Sequence, residues 1–88
     1  MELGRVGVWI GQLAKAGAAE EREAAAEIDE LGYAALWYPE GVGGKECFSH
    51  GAWLLASTRR AVVATGIANI FARDPMAMKA GQHLLCDA

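Results

Sequence analysis

With 88 residues, the chain holds one small domain or part of a larger one, because single domains cluster at roughly 100 to 150 residues. Hydrophobic residues make up 53% and charged residues 22%, which is too apolar and too weakly charged for an intrinsically disordered chain. A net charge of −3 offers no basic field to a nucleic acid or an anionic membrane. No apolar run reaches the roughly 18 to 20 residues of a membrane span, and MELGRVGVWIGQL lacks the basic-then-apolar order of a leader. The expected setting is the cytoplasm. Cys47 and Cys86 have neither CxxC spacing nor a histidine in ligand register, and both read as reduced thiols.

Arg5 to Ile10 (RVGVWI) is a β-branched and aromatic run closed by Gly11, and its near-continuous apolarity predicts a strand covered on both faces. Ala18 to Leu31 reads as an amphipathic helix. Ala24, Ile28 and Leu31 fall at i, i+4 and i+7, while Glu20, Arg22, Glu23, Glu27 and Glu30 point elsewhere. Glu20 and Glu21 complement the positive end of its dipole, and Gly32 is free to take the left-handed cap position. Ala34 to Pro39 (AALWYP) is a second apolar strand ended by proline.

The stretch Glu40 to Glu46 (EGVGGKE) is a glycine-rich loop with unusual backbone freedom. Ser49 is placed to cap the following helix, HGAWLLASTRR, with Arg59 and Arg60 at its negative end. Ala61 to Thr65 (AVVAT) is the third strand, and Gly66 to Arg73 is a loop or an irregular strand end. Asp74 followed by Pro75 is a helix-start signal, a cap and then proline at the first helical position. The last helix, from Pro75 onward, is expected to place Met76, Ala80 and Leu84 on one stripe.

Three β-then-α units in succession require a parallel sheet with right-handed helical crossovers. The order suits a doubly wound sheet or a barrel. A three-stranded parallel sheet leaves two unpaired edges and partly covered apolar faces. The units average about 29 residues, close to the roughly 31 of a barrel of about 250 residues. The expected fold is therefore α/β, the first three βα units of a TIM (β/α)8 barrel. Residues 1–88 would form the N-terminal part of a single, incomplete domain.

The residues resemble the luciferase-like monooxygenase superfamily, and within it the oxidoreductases that use the deazaflavin coenzyme F420. RVGVWIGQL looks like the first strand of those enzymes. ELGYAALWYPEG looks like their second helix–strand junction, and VVATGIANIFARDPMAMKAGQHLL like their third strand, loop and helix. The last block, a T-G-I-x-N run followed by R-x-P opening a helix, is the most specific. Many relatives carry an acidic residue followed by histidine at the end of strand two, whereas here Glu40 is followed by Gly41. The glycine-rich segment after strand four and the later loops that hold the cofactor phosphate lie outside this sequence.

Active sites of such barrels form at the C-terminal ends of strands, where Gln12, Glu40 and Asn69 fall. A flavin or deazaflavin ring is planar, apolar on its faces and edged with hydrogen-bonding groups, so its site needs slots of small residues plus a few aimed polar groups. Gly66, Ile67, Ala68 and Asn69 fit that description as cofactor-binding residues. The resemblance implies a non-proline cis peptide at the end of strand three, and the matching bond is Gly66 to Ile67. The alternative for Gly66 is a simple strand-end glycine. Glu40, the candidate catalytic residue, would accept from the cofactor or serve as a local acid or base; otherwise it is a solvated loop carboxylate beside Lys45. Asn69 bonds the ring edge or caps a turn. Arg73 reaches an anion or pairs with Asp74.

His50 and His83 have no partners in metal register, and no metal is expected. His50 stands at the barrel mouth or is a solvated helix-start residue. Trp9 and Trp37 flank a ring or pack between sheet and helices. The resemblance implies a parent enzyme that transfers hydride between F420 and a small-molecule organic substrate. Such parents are commonly homodimers, with no nucleic-acid or membrane partner. The alternatives are an FMN-dependent monooxygenase of the same superfamily, or a non-catalytic, self-associating half-barrel.

Overall fold

The computed structural model describes residues 4–87. In chain order it contains strand β1 (Gly7–Trp9), a short 3-10 turn (Gly11–Ala14), helix α1 (Ala18–Glu30), strand β2 (Ala35–Tyr38), helix α2 (Cys47–Ser57), strand β3 (Val62–Thr65) and helix α3 (Pro75–Asp87). The strands form one parallel sheet in the order β1-β2-β3. The register pairs Val8 with Leu36 and Leu36 with Val63, so these three side chains share one face. Gly7, Trp9, Ala35, Trp37 and Ala64 share the other.

The helices occupy the first face. Leu36 and Tyr38 of β2 are buried against Ala25 and Ile28 of α1 and Leu54 of α2, with Leu13 of the 3-10 turn and Cys47 closing the cluster. A sheet followed by short helical returns in simple 1-2-3 order buries its helix side this way and leaves the opposite side with Trp9 exposed. β1 is therefore covered on one face rather than both. The reason is that the helices pack on the Leu36 and Tyr38 face of the sheet.

α1 buries a different stripe from the one its hydrophobic residues suggest. Leu31 is exposed, and the covered positions are Glu21, Ala25, Ile28 and Asp29. The i, i+4, i+7 spacing is kept, but one position on it is acidic, so an apolar pattern misplaces the stripe. Gly32, with φ of 91°, follows the helix in the left-handed conformation expected of it. α2 is capped by Glu46 and not by Ser49. The Glu46 carboxylate accepts from the amides of Phe48 and Ser49 at 2.9 and 2.8 Å, and the Ser49 hydroxyl donates back to it at 2.7 Å. In α3, Met76 and Leu84 face solvent, and Met78, Gly81 and Leu85 form the half-buried stripe. The expected Asp74 cap is present, its Oδ1 accepting from Ala77 N at 2.8 Å.

Asp29 joins α1 to the turn before β3. Its two oxygens accept from the backbone N–H groups of Arg59 at 2.7 Å, Arg60 at 3.1 Å and Ala61 at 2.8 Å. Burial works against its charge, yet these three donors hold the carboxyl below its ordinary range. The turn that launches β3 is thus organised by a side chain some thirty residues earlier. Asp29→Ala leaves three donors without an acceptor and is expected to cost on the order of 2–3 kcal/mol. Asp29→Asn, which keeps one acceptor, should cost less. Urea unfolding of both variants measures this, and a loss below about 0.5 kcal/mol in the alanine variant would show that the turn holds without the carboxylate.

Candidate active site at the strand ends

The C-terminal ends of the three strands lie side by side, and the segment after β3 turns across them. The Gly66–Ile67 peptide bond is cis, as the family resemblance implies. Trp9, at the end of β1, donates its indole N–H to the Gly66 carbonyl at 3.1 Å. A Cβ at residue 66 would stand 3.0 Å from Trp9 Nε1, so the glycine permits the indole to lie against the backbone. Trp9 is 57% exposed and does not fill space between sheet and helices.

The four residues of the Gly66–Asn69 run have different fates. Gly66 lies beneath Trp9, and Ile67 projects into solvent together with Ile70 and Phe71. Ala68 turns inward and packs against the core. Asn69 folds its side-chain oxygen back to accept from Phe71 N at 2.9 Å, which is the turn-capping arrangement. Gln12 lines a cleft of about 380 Å3 with Trp9, Gly11 and Lys15, on the β1 side of the mouth. A larger cleft of about 500 Å3 lies where α3 stands off from β3, lined by residues such as Val63, Met78 and Leu85. Its lining is mainly the apolar side chains of α2, β3 and α3, without the gathered polar groups of the strand ends.

Glu40 is the junction of this face. Its Oε1 accepts from Asn69 N at 2.9 Å, and its Oε2 accepts from Cys47 N at 2.7 Å and from the Arg73 guanidinium. The carboxylate is 7% exposed, and its cationic neighbour is Arg73, with Lys45 directed elsewhere. Burial raises its pKa, but the Arg73 hydrogen bond and the two backbone donors outweigh it and hold the carboxyl below the usual range. Three donors occupy Glu40, two on Oε2 and one on Oε1, and its lowered pKa makes it a weak base.

Arg73 is not paired with its neighbour Asp74. It donates to Glu40, to the Asn69 carbonyl at 3.2 Å and to Glu46 at 3.2 Å, while stacking over the Phe48 ring at 5.0 Å. One guanidinium therefore spans the loop after β3, the residue ending β2 and the cap of α2. The fixed fork of Arg suits such multiple acceptance, where a lysine would serve one acceptor at a time. Glu46, bonded by Ser49 and Phe48, is drawn down to about 2.

A second charged group lies beneath the mouth, and sequence reasoning did not place it there. Glu21 is 1% exposed, and His50, expected in solvent or at the opening, is 3% exposed. Lys45 reaches Glu21 Oε2 on one side, and His50 Nε2 lies against Glu21 Oε1 on the other. The available signal was positional: Glu21 shares the spacing of Ala25 and Ile28, the inward stripe of α1.

A parallel α/β sheet whose strand ends gather small residues, an exposed indole and an arginine–carboxylate junction belongs to the class that holds ligands at the C-terminal edge of the sheet. Within that class the chain belongs to the luciferase-like monooxygenase family, whose model it matches over residues 3–81. That family is of oxidoreductase type, and its members use flavin-type cofactors, FMN or F420. No curated protein and no solved structure matches the chain. Among the described residues no helix is long and apolar enough to cross a membrane.

The lowered carboxyls set a sign for acid behaviour. Glu40 and Glu46 titrate in the unfolded chain near the ordinary 4.5 and lower in the folded one. Their stabilisation is complete above about pH 4.5 and is lost as pH falls through the lowered folded values, which for Glu46 lies at about 2. Arg73→Met lets Glu40 titrate closer to its unfolded value, so the decline of the urea midpoint over that window should become shallower than in wild type. Parallel slopes in the two proteins would overturn the ion-pair assignment.

Proposed function

We propose that the strand ends bind the ring of coenzyme F420 and that the protein is an F420-dependent oxidoreductase acting on a small organic substrate. The observation that carries this reading is the surface formed by Trp9, Gly66, Ile67, Ile70 and Phe71, in a chain of the luciferase-like family. Exposed apolar side chains gathered at one end of a small domain suit the face of a planar ring. The close fit of Trp9 on Gly66, which a Cβ would fill, keeps a flat backbone edge available beside it. When bound, the deazaflavin supplies hydride chemistry at a ring carbon. The chain's own residues orient the ring and exclude water from one of its faces. Glu40 and Arg73 hold the Asn69 segment in place, and Gln12 and Asn69 supply polar groups at the border of the ring surface.

The three βα units are read as the N-terminal portion of an eight-unit barrel. Two features support this. The 1-2-3 strand order keeps α1 and α2 on one face, as a barrel requires, and the outer edges of β1 and β3 carry no strand among the described residues. On this reading the chain alone offers only part of a ring site.

Titration with F420 and with FMN, read by tryptophan fluorescence, tests the ring site. F420 should quench only in the millimolar range, and Trp9→Phe should remove most of the quenching. No quenching by either ring at millimolar concentration would sink the site. Quenching by FMN alone would transfer the assignment to an FMN-dependent monooxygenase, and micromolar saturation would refute the partial-site reading. The barrel reading is tested by capturing the natural product from its source with an antibody to this segment. Its intact mass should be about 30 kDa, the size of a complete barrel. A product of 9.3 kDa would overturn it.

A further inference from the structure

The glycine-rich loop over residues 41–46 has little of its own to hold it. Gly41 to Gly44 are exposed, and within the loop one backbone bond, from Gly44 N to Gly41 O at 3.1 Å, closes a turn. Its tie to the neighbouring connection is Lys45. The Lys45 ammonium donates to the carbonyl oxygens of Leu13 and Ala16, both at 2.8 Å, and to Glu21 Oε2. An ammonium has three N–H donors, and all three are used. Two of the acceptors are backbone groups between β1 and α1, so this cation joins two adjacent loops at the same end of the sheet.

The third acceptor is shared. Glu21 offers Oε2 to Lys45, and its Oε1 lies against His50 Nε2, outside the direction of a hydrogen bond. The His50 side chain is fully enclosed, with its ring centroid 4.7 Å from that of Tyr38. Its Nδ1 has no hydrogen-bond partner among the described residues. The groups facing it are Glu21 from α1, Lys45 from the loop, Tyr38 from β2, and Cys47 on its own helix. The Tyr38 hydroxyl is committed to the Cys47 carbonyl at 2.8 Å, which leaves Glu21 as the one anion between two nitrogen bases.

We infer that Glu21, Lys45 and His50 form a proton-linked clamp, in which His50 and Lys45 compete for one buried carboxylate and thereby set how firmly the glycine-rich loop is held against the β1–α1 connection. A buried carboxylate needs cations or hydrogen-bond donors in place of water, and with His50 neutral the cation on Glu21 is Lys45. Protonation of His50 places a second cation on the same carboxylate and loosens the hold of the first. Burial disfavours charged His50 and Lys45 opposes it further, which together outweigh the attraction of Glu21, so the ring titrates below its ordinary value. The clamp is therefore at full strength above about pH 6.5, the unfolded value, and weakens as pH falls through the folded value. The clamp stands whether or not a ring binds at the strand ends.

Nuclear magnetic resonance on the 15N-labelled protein tests it. In wild type the amide signals of Gly43 and Gly44 should move with the same midpoint as the His50 ring. Lys45→Met, which keeps most of the side-chain stem and removes the charge, should raise the His50 midpoint and speed hydrogen exchange at the Ala16 and Gly44 amides by about tenfold or more. A purely structural lysine would leave the glycine signals of wild type indifferent to the His50 titration. An unmoved midpoint in the variant, unchanged exchange, or glycine signals that ignore the His50 titration in wild type would each overturn the clamp. If Lys45→Met does not fold, the wild-type titration alone decides.

Discussion

A carboxylate taken out of water is tolerated only where donors or cations replace the water it loses. Among the described residues this small chain buries three of them. Glu21 is answered by Lys45 and His50, Asp29 by three successive backbone amides, and Glu40 by two amides and Arg73. Each ties together parts of the chain that are distant in sequence. Glu21 links α1 to the glycine-rich loop, Asp29 links α1 to the start of β3, and Glu40 links the end of β2 to the start of α2 and to the segment beyond β3. The apolar core between sheet and helices brings these elements together without direction. The carboxylates supply the direction, because each accepts from particular donors at particular positions of the connecting loops.

The chemistry at the mouth follows from this arrangement. The segment carrying Gly66 to Asn69 has no regular structure of its own, yet it is held at one end by the β2–β3 ladder, where Gly66 N bonds Tyr38 O at 2.7 Å, and at the other by Glu40 and Arg73. If a flat ring binds here as proposed, such fixation favours it, since any order already present need not be supplied by binding energy. The low exposure of Glu40 and its three donors suit a residue that holds others still better than one that exchanges protons.

Much of the fold was legible in the sequence, because apolar runs, the Asp74–Pro75 start and the Gly32 stop are local signals with local causes. The order of strands and helices followed from them. What the sequence concealed were the interactions between distant residues. Nothing near Glu21 in the chain announces Lys45 or His50, and an acidic residue on a helix reads by default as an outward one. The same default moved the α1 stripe to Leu31, whereas in α3 two small or apolar stripes compete, Met76, Ala80, Leu84 and Met78, Gly81, Leu85, and the second is the one that packs. The cap of α2 was misread because Ser49 is the commoner capping residue, while Glu46 occupies the position and Ser49 answers it from one turn inside. The cis Gly66–Ile67 bond was reached through family resemblance alone, since no spacing or periodicity encodes it. Glu40 falls just past β2, where the sequence placed a polar residue, and of the two readings for Arg73, an anion or the adjacent Asp74, the structure shows the first, with Glu40 as the anion.

The helix α3 buries no residue completely and leans on α2, with Gly81 set beneath the Phe48 ring, where a Cβ would come within 2.6 Å of it. The ties that hold β3 and the mouth all originate elsewhere, in Asp29, Glu40 and the strand ladder, and none runs through the body of α3. Detachment of this helix would therefore leave β3 and the Gly66–Asn69 segment with their own ties intact. Opening at α3 would cost less than opening around β2, whose Leu36 and Tyr38 are among the most deeply buried side chains, and the strand ends lie on the more firmly tied side.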